Sequence, residues 1–232
     1  MEVNERIGKE RGCMGIWIGV LFCLLLMMFG VFAVSMVVVW KLMHPVRKPV
    51  TSSPSEEGLA YKSIGFQSRD GKTPLQGWFI PAVAAPKATL IFAHGYRGNR
   101  MEKNLPALRL THSLVQRGCN VLLFDFRNCG ESGGNLTTIG LDEKQDILGA
   151  IDWCSNHTQV PIGLIGFSMG AATSLLAAAE SPKVSGVVAD SSFSDLHHYL
   201  FENLSVWSKL PKYPFSPLML LALRYWMRKT PR

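Results

Sequence analysis

An uninterrupted apolar segment, residues 16–40, constrains the fold of this chain more than any other part of its sequence. It reads IWIGVLFCLLLMMFGVFAVSMVVVW and contains no charged residue. The segment is long enough to cross a lipid bilayer as a helix. A cleaved signal peptide is the competing interpretation, but its apolar core would be shorter, and Ala33-Val34-Ser35 only weakly resembles a cleavage site because apolar residues continue beyond it. We therefore expect an uncleaved, single-pass membrane anchor.

The anchor divides the chain into a short polar head (residues 1–15), the transmembrane helix (16–40), a linker (41–58) and a domain (59–232). Residues 44–58, HPVRKPVTSSPSEEG, are rich in proline, serine and charge and have no periodic apolar pattern, which is typical of a linker. Three basic residues lie on each side of the anchor, so the positive-inside rule does not decide its orientation. The short polar head favours a domain outside the cytoplasm.

Charge and cysteine content exclude several classes of function. The formal net charge is +7, and the six Lys/Arg and three Asp/Glu of the first 50 residues place +3 of it around the anchor, where it suits contact with lipid head groups. No basic helix with interleaved aromatic residues indicates a nucleic-acid partner. Cys119, Cys129 and Cys154 have no metal-ligand spacing. We expect the lipid bilayer as a partner, and neither a metal nor an organic cofactor.

The domain alternates short apolar runs with helical patterns. A hairpin is predicted around the turn RDGKTP, and the strands that follow are continuously apolar, as in a parallel sheet covered on both faces. The predicted strands are 61–68, 75–80, 88–95, 120–126, 161–167 and 184–190, and the predicted helices are 101–117, 140–157 and 169–180. The sequence therefore predicts an α/β fold with a largely parallel sheet and helices on both faces.

The sequence GFSMG, residues 166–170, places Ser168 between two glycines at a predicted strand-to-helix junction. This is the context in which a G-x-S-x-G motif forms a sharp turn that exposes a nucleophilic serine. Side chains two residues before and after the serine would collide, and Gly166 and Gly170 avoid that collision. The N-terminus of the following helix suits a developing oxyanion. A plain glycine-rich turn with a capping serine is the structural alternative.

A second loop, FAHGYRGNR (92–100), follows the strand before the first helix of the domain. In acyl-transfer sites of this type, one oxyanion donor comes from this loop and the other from the residue after the nucleophile. The candidate donors are therefore the backbone N–H groups of Tyr96 and Met169. His94 and Gly95 are expected to shape the loop, because His94 lies on a different strand end from Ser168 and precedes it in the chain.

Three segments together carry a resemblance to a known family. AHGYRGNR, LLFDFRNCGESGG and GLIGFSMGAA, in this order, resemble the α/β-hydrolase superfamily, and the most similar branch is that of the serine aminopeptidase-like, membrane-anchored hydrolases. The resemblance covers about residues 60–195. It implies a serine hydrolase that acts on a small acyl-type or peptide substrate through an acyl-enzyme at Ser168. It also implies structural roles for Asp125 and Arg127.

The resemblance implies a triad order of serine, acid and histidine, and the C-terminal part that should carry the last two is expected to be missing from these 232 residues. Asp190 is a candidate acid, with loop anchoring as its alternative role. His197 and His198 follow it in a predicted helix, where a surface role is the simpler interpretation. A serine without a positioned base is a weak nucleophile. An inactive hydrolase-like binding protein and a truncated gene product therefore remain alternatives to an active hydrolase.

Overall fold

The computed structural model of the chain describes residues 2–102 and 106–229. The chain forms two compact units. One unit is the continuous segment Leu42–Leu196, and the other combines the residues before Leu42 with those after Leu196. The candidate catalytic loops all belong to Leu42–Leu196.

The described helices and strands follow the order expected for an α/β protein. The strands are β1 (Lys62–Gln67), β2 (Pro74–Ile80), β3 (Ala88–Ala93), β4 (Cys119–Phe124), β5 (Ile162–Phe167) and β6 (Val184–Asp190). The helices are α1 (Glu2–Met43), α2 (Ala107–Gln116), α3 (Glu143–His157), α4 (Met169–Glu180), α5 (Leu196–Ser208) and α6 (Lys212–Lys229), with a short 3-10 turn at Pro54–Glu57.

The six strands form one sheet in the order β1-β2-β4-β3-β5-β6. The hairpin strands β1 and β2 are antiparallel to their neighbours, whereas β4, β3, β5 and β6 run parallel to one another. The central parallel strands β3, β4 and β5 are apolar, as is usual for strands covered on both faces, and the side chains of Ile91, Val121 and Leu164 are almost completely buried. The predicted α/β fold with a largely parallel sheet is confirmed.

Two helices of the domain begin later than the sequence pattern predicts. The helix expected over 101–117 is α2, which begins at Ala107 after Pro106; residues 103–105 of that expectation lie outside the described part of the chain. The helix expected over 140–157 begins at Glu143, because Ile139 and Gly140 have φ angles of 56° and 111° that end any helical path before them. Both differences lie at the start of a helix, and the spacing of apolar residues does not define the first residue of a helix.

The N-terminal helix α1 is longer than the apolar segment 16–40. Within its stretch Met14–Met43, an 18-residue window has a mean hydropathy of 2.8, so one described helix is long and apolar enough to cross a bilayer. A signal sequence near an N-terminus shares these properties. The helix pair α5 and α6 of the same unit is joined by an ion pair between Glu202 and Lys212 at 2.8 Å.

Strand β6 forms one edge of the described sheet and is largely exposed to solvent. Val188 on this strand is 61% exposed, and Leu175 and Leu176 of α4 are 46% and 54% exposed. Fully covered parallel strands are usual in α/β proteins. The β6 edge of the described residues therefore presents apolar surface that comparable sheets bury.

Candidate active site

Ser168 occupies the turn between β5 and α4 in a strained backbone conformation. Its φ and ψ angles are 52° and −115°, a region that a residue with a side chain adopts at a cost of about 1–3 kcal/mol. The strained turn is fixed by a hydrogen bond from the Ser168 N–H to the backbone oxygen of Asp190, at 2.8 Å. Strain of this kind is concentrated at functional sites.

The two flanking glycines are required by close backbone contacts. A Cβ atom on Gly170 would lie 2.1 Å from the Ala93 oxygen and 2.6 Å from the His94 oxygen, and one on Gly166 would lie 2.5 Å from the Gly170 oxygen. None of these atoms belongs to a flexible side chain, so they cannot move aside cheaply. The close packing brings the start of α4 against the end of β3, and therefore against the loop after β3.

That loop passes close to Ser168. A Cβ atom built on Gly95 would lie 3.7 Å from Ser168 Cβ, so the Gly95–Tyr96 segment lies beside the serine. Ser168 also directly precedes the first turn of α4, whose N–H groups have no partner within the helix. The segments that contain the two candidate oxyanion donors, the N–H groups of Tyr96 and Met169, therefore both lie next to Ser168. Their role as donors remains a prediction.

His94 is buried and links two loops rather than facing Ser168 as a base. Its Nε2 atom accepts a hydrogen bond from the Phe126 N–H at 3.1 Å, which leaves Nδ1 to donate to the Gly95 oxygen at 2.8 Å. Both ring nitrogens are therefore used in the neutral form of the imidazole. Burial lowers the pKa of His94 below its ordinary value, which favours the same neutral form.

Further polar contacts, which the sequence analysis missed, hold the loop after β3. The Gly95 N–H donates to the Glu102 carboxylate at 2.9 Å, and the Gly98 N–H donates to the Gly95 oxygen at 3.0 Å. The Arg100 side chain donates to the buried carboxylate of Asp125 at 2.7 Å and 3.0 Å. The segments YRGNRME and FDF contain no pattern that indicates these pairings, and Arg100 and Asp125 are 25 residues apart in the chain.

The loop after β4 is organised by a second buried ion pair. The Arg127 guanidinium donates to the Asp146 carboxylate at 2.7 Å, and the Arg127 N–H donates to the same carboxylate at 2.9 Å. Asp125 and Asp146 are each fully buried. Each carboxylate is saturated by contacts within the fold, which is consistent with the structural roles expected for Asp125 and Arg127.

The candidate acid and the candidate histidines belong to different compact units. Asp190 ends β6 opposite Phe167 of β5, and its exposed carboxylate accepts a hydrogen bond from the Ser191 hydroxyl at 2.8 Å. His197 and His198 are exposed residues of α5, in the other compact unit. A triad role for any of them therefore stays a prediction.

A small, partly open crevice with a volume of about 10 Å³ lies beside the loop after β3. Phe92, Phe124 and Phe167 provide its apolar lining, and Glu102 adds a carboxylate. Phe167 directly precedes Ser168, but Ser168 itself does not line the crevice. A volume of this size holds about one water molecule, so we assign no substrate to the crevice.

Known proteins are similar to this chain in fold and in sequence. A family model described as X-Pro dipeptidyl-peptidase (S15 family) matches residues 77–232. An esterase of Pyrococcus furiosus has a similar structure, with a TM-score of 0.66 and 30% sequence identity over 79% of this chain and 69% of the esterase. These similarities confirm the α/β-hydrolase superfamily that the motifs indicate.

Two bacterial relatives are similar in sequence, and both are described as uncharacterized. YfhR of Escherichia coli K12 is 31% identical over 84% of this chain and 64% of its own length. YqkD of Bacillus subtilis is 32% identical over 62% of this chain and 47% of its own length. The chain thus spans between about half and two thirds of the length of these relatives.

Proposed function

The chain belongs to the X-Pro dipeptidyl-peptidase (S15) family of α/β-hydrolases, a serine-hydrolase type of fold, and from this premise we propose that it cleaves a small ester, thioester or peptide through an acyl-enzyme at Ser168. The observation that supports this most is the strained conformation of Ser168, between two glycines that tolerate no Cβ atom. A strained serine at a strand-to-helix turn is the geometry of an exposed nucleophile.

In the proposed reaction, Ser168 Oγ attacks the carbonyl carbon of the substrate and loses its proton to a histidine base. The carbonyl oxygen becomes an oxyanion, which the N–H groups of Tyr96 and Met169 stabilise. The bond to the leaving group then breaks, and the leaving group takes the proton from the base. Water repeats the sequence on the acyl-enzyme, releases the acid and restores Ser168.

The base and the acid have two possible sources. One is Asp190 with His197 or His198. The other is sequence beyond residue 232 in a longer protein, and we favour it for two reasons. The chain spans 64% of the length of YfhR, and the β6 edge is exposed where a sheet of this kind would continue. In that case residues 1–232 provide the nucleophile and the oxyanion donors, and the sequence beyond residue 232 provides the acid and the histidine.

We also propose that α1 anchors the protein in a membrane as a single-pass helix. The stretch Met14–Met43 has the length and hydropathy for a complete span. Trp40 and Lys41 near its end are residue types found at the membrane–water interface. The side of the membrane on which the domain lies is expected to be extracytoplasmic.

The test is labelling of native membranes with a fluorophosphonate probe, resolved by molecular size. We expect a labelled band that disappears in Ser168→Ala and persists in Ser185→Ala, a matched change at an exposed serine on β6. A band at the size of 232 residues would assign the triad to Asp190 and α5, whereas a band only at a larger size would assign it to added sequence. No Ser168-dependent band at either size would contradict the proposal and favour an inactive binding protein.

A further inference from the structure

The last two residues of α1 and the residues that follow them lie on two loops of the domain, one of which is beside Ser168. We name residues Leu42–Pro49 the strap. The Tyr96 hydroxyl donates to the Leu42 oxygen at 2.7 Å, and the Asn99 side-chain amide donates to the oxygens of Lys48 and Pro49 at 3.2 Å and 3.1 Å. Both ends of the strap are therefore bonded to the loop after β3.

The strap is also bonded to the loop after β4. The Thr137 N–H donates to the Met43 oxygen at 2.8 Å, and the Arg47 guanidinium donates to the oxygens of Ser132 and Gly134. The Ser132 hydroxyl in turn donates to the Asp125 oxygen at 2.6 Å, at the end of β4. One short segment thus joins the two loops at the carboxyl edge of the parallel strands, where α/β proteins place their sites.

These contacts satisfy backbone groups that would otherwise lack partners. The last carbonyl groups of a helix have no partner within the helix, and those of Leu42 and Met43 accept from Tyr96 and Thr137. Beyond them the strap contains Pro45 and Pro49, which donate no backbone hydrogen bond. A segment without regular structure is held here by side chains of the domain, which is unlike a freely moving linker.

The loop after β3 depends on external contacts for its shape. Arg97 and Glu102 have positive φ angles of 59° and 35°, so the loop contains strained residues at both ends of its turn. Oxyanion donors are effective only when their N–H groups are fixed before the reaction. From its inner side the loop is held by His94 and Glu102, and from its outer side by the strap.

We propose that the strap is a positioning element of the active site. Through Tyr96 and Asn99 it fixes the backbone of the loop after β3, and through Arg47 it ties that loop to the loop after β4. The N–H group of Tyr96 is thereby kept in position for the oxyanion. This inference rests on the proposed function for its catalytic consequence, while the ordering of the loop by the strap can be measured separately.

The experiment uses the full chain with Tyr96→Phe, which keeps the ring and the backbone N–H, and with Arg47→Met. The matched controls are Tyr213→Phe on α6 and Arg109→Met at an exposed position of α2. The first measurement is hydrogen–deuterium exchange in peptides that cover residues 93–102. The second is the rate at which a fluorophosphonate probe labels Ser168.

We expect both strap variants, and neither control, to show exchange in residues 93–102 that is roughly 2- to 10-fold faster, the range for the loss of one net hydrogen bond. Labelling of Ser168 should slow by a similar factor. Unchanged exchange in both variants overturns the proposal, and so does faster exchange with an unchanged labelling rate. Faster exchange in a protein whose Ser168 never labels would support the strap as the element that orders the loop and would reject the proposed function alone.

Discussion

Gly170 determines how closely α4 can approach β3. A Cβ atom there would lie 2.1 Å, 2.5 Å and 2.6 Å from three backbone atoms of Ala93 and His94. Backbone cannot rotate away as a side chain can, so Gly170→Ala must displace the start of α4 or the end of β3. We expect a loss of about 1–3 kcal/mol in the free energy of unfolding. Urea denaturation of the detergent-solubilised protein measures it.

Gly186→Ala is the matched control for this change. Gly186 lies on β6, its φ angle is not in the left-handed region, and a Cβ atom there meets nothing within 4 Å. We expect its free energy of unfolding to change by less than about 1 kcal/mol. Equal stability of the two variants would show that the backbone around Ser168 adapts freely and would contradict the packing described above.

The sequence predicts the serine turn well because the relevant information is local. The motif spans only five residues, Gly166 to Gly170. Its two glycines lie at the positions where a Cβ atom would collide with the backbone. The roles of Glu102 and Arg100 depend on contacts with Gly95 and Asp125, and Asp125 is 25 residues from Arg100. Charged residues next to a glycine-rich loop are typical of a solvated surface, so the burial of Arg100 could not be inferred from residue type.

The ends of β3 and β4 are joined by the ring of His94, and this link is expected to respond to pH. A protonated ring would present an N–H group at Nε2 to the Phe126 N–H, which itself donates there. Burial lowers the pKa of His94 in the fold, while an unfolded histidine titrates near 6.5. Below about pH 6.5 the unfolded chain therefore binds a proton that the folded chain does not.

The free energy of unfolding should consequently fall as pH drops below 6.5, by at most about 1.4 kcal/mol per pH unit from this residue, with no contribution above. Denaturation between pH 5 and 8 measures the slope. In His94→Gln we expect a less stable protein at pH 8 but a shallower slope between pH 5 and 6.5. A slope identical to that of the unsubstituted protein would show that folding does not lower the pKa of His94.

The alternation of strands and helices was predictable because the buried strands are continuous apolar runs, whereas the helices have apolar residues at helical spacing. β5, α4 and β6 lie within about a residue of their expected bounds. The strap was not predictable, since its proline-rich sequence is typical of a linker and its partners, such as Tyr96 and Thr137, lie more than 50 residues away. A segment without a repeating apolar pattern is predicted to be a linker. That prediction fails when the segment makes contacts with residues distant in the chain.

The 232 residues combine a hydrolase-type sheet with an apolar helix whose last residues belong to the strap. If α1 remains attached, every molecule keeps its strap, whereas cleavage within 33–35 would leave the strap with a short apolar remnant. We expect the full chain, tagged at its C-terminus, to remain in the membrane pellet after an alkaline carbonate wash with its N-terminal residues intact. Intact mass and fractionation are the measurements.

Substituting arginine for residues at the centre of the span tests whether the helix is a membrane anchor. A double change, Leu24→Arg with Leu25→Arg, should cost about 2.5–3.5 kcal/mol per arginine on insertion and move the protein out of the pellet. Val83→Arg, at a residue that is 68% exposed between β2 and β3, should leave it there. A soluble protein that begins near residue 36 would identify the helix as a cleaved signal peptide. The strap would then have to hold its loop without a membrane helix joined to it.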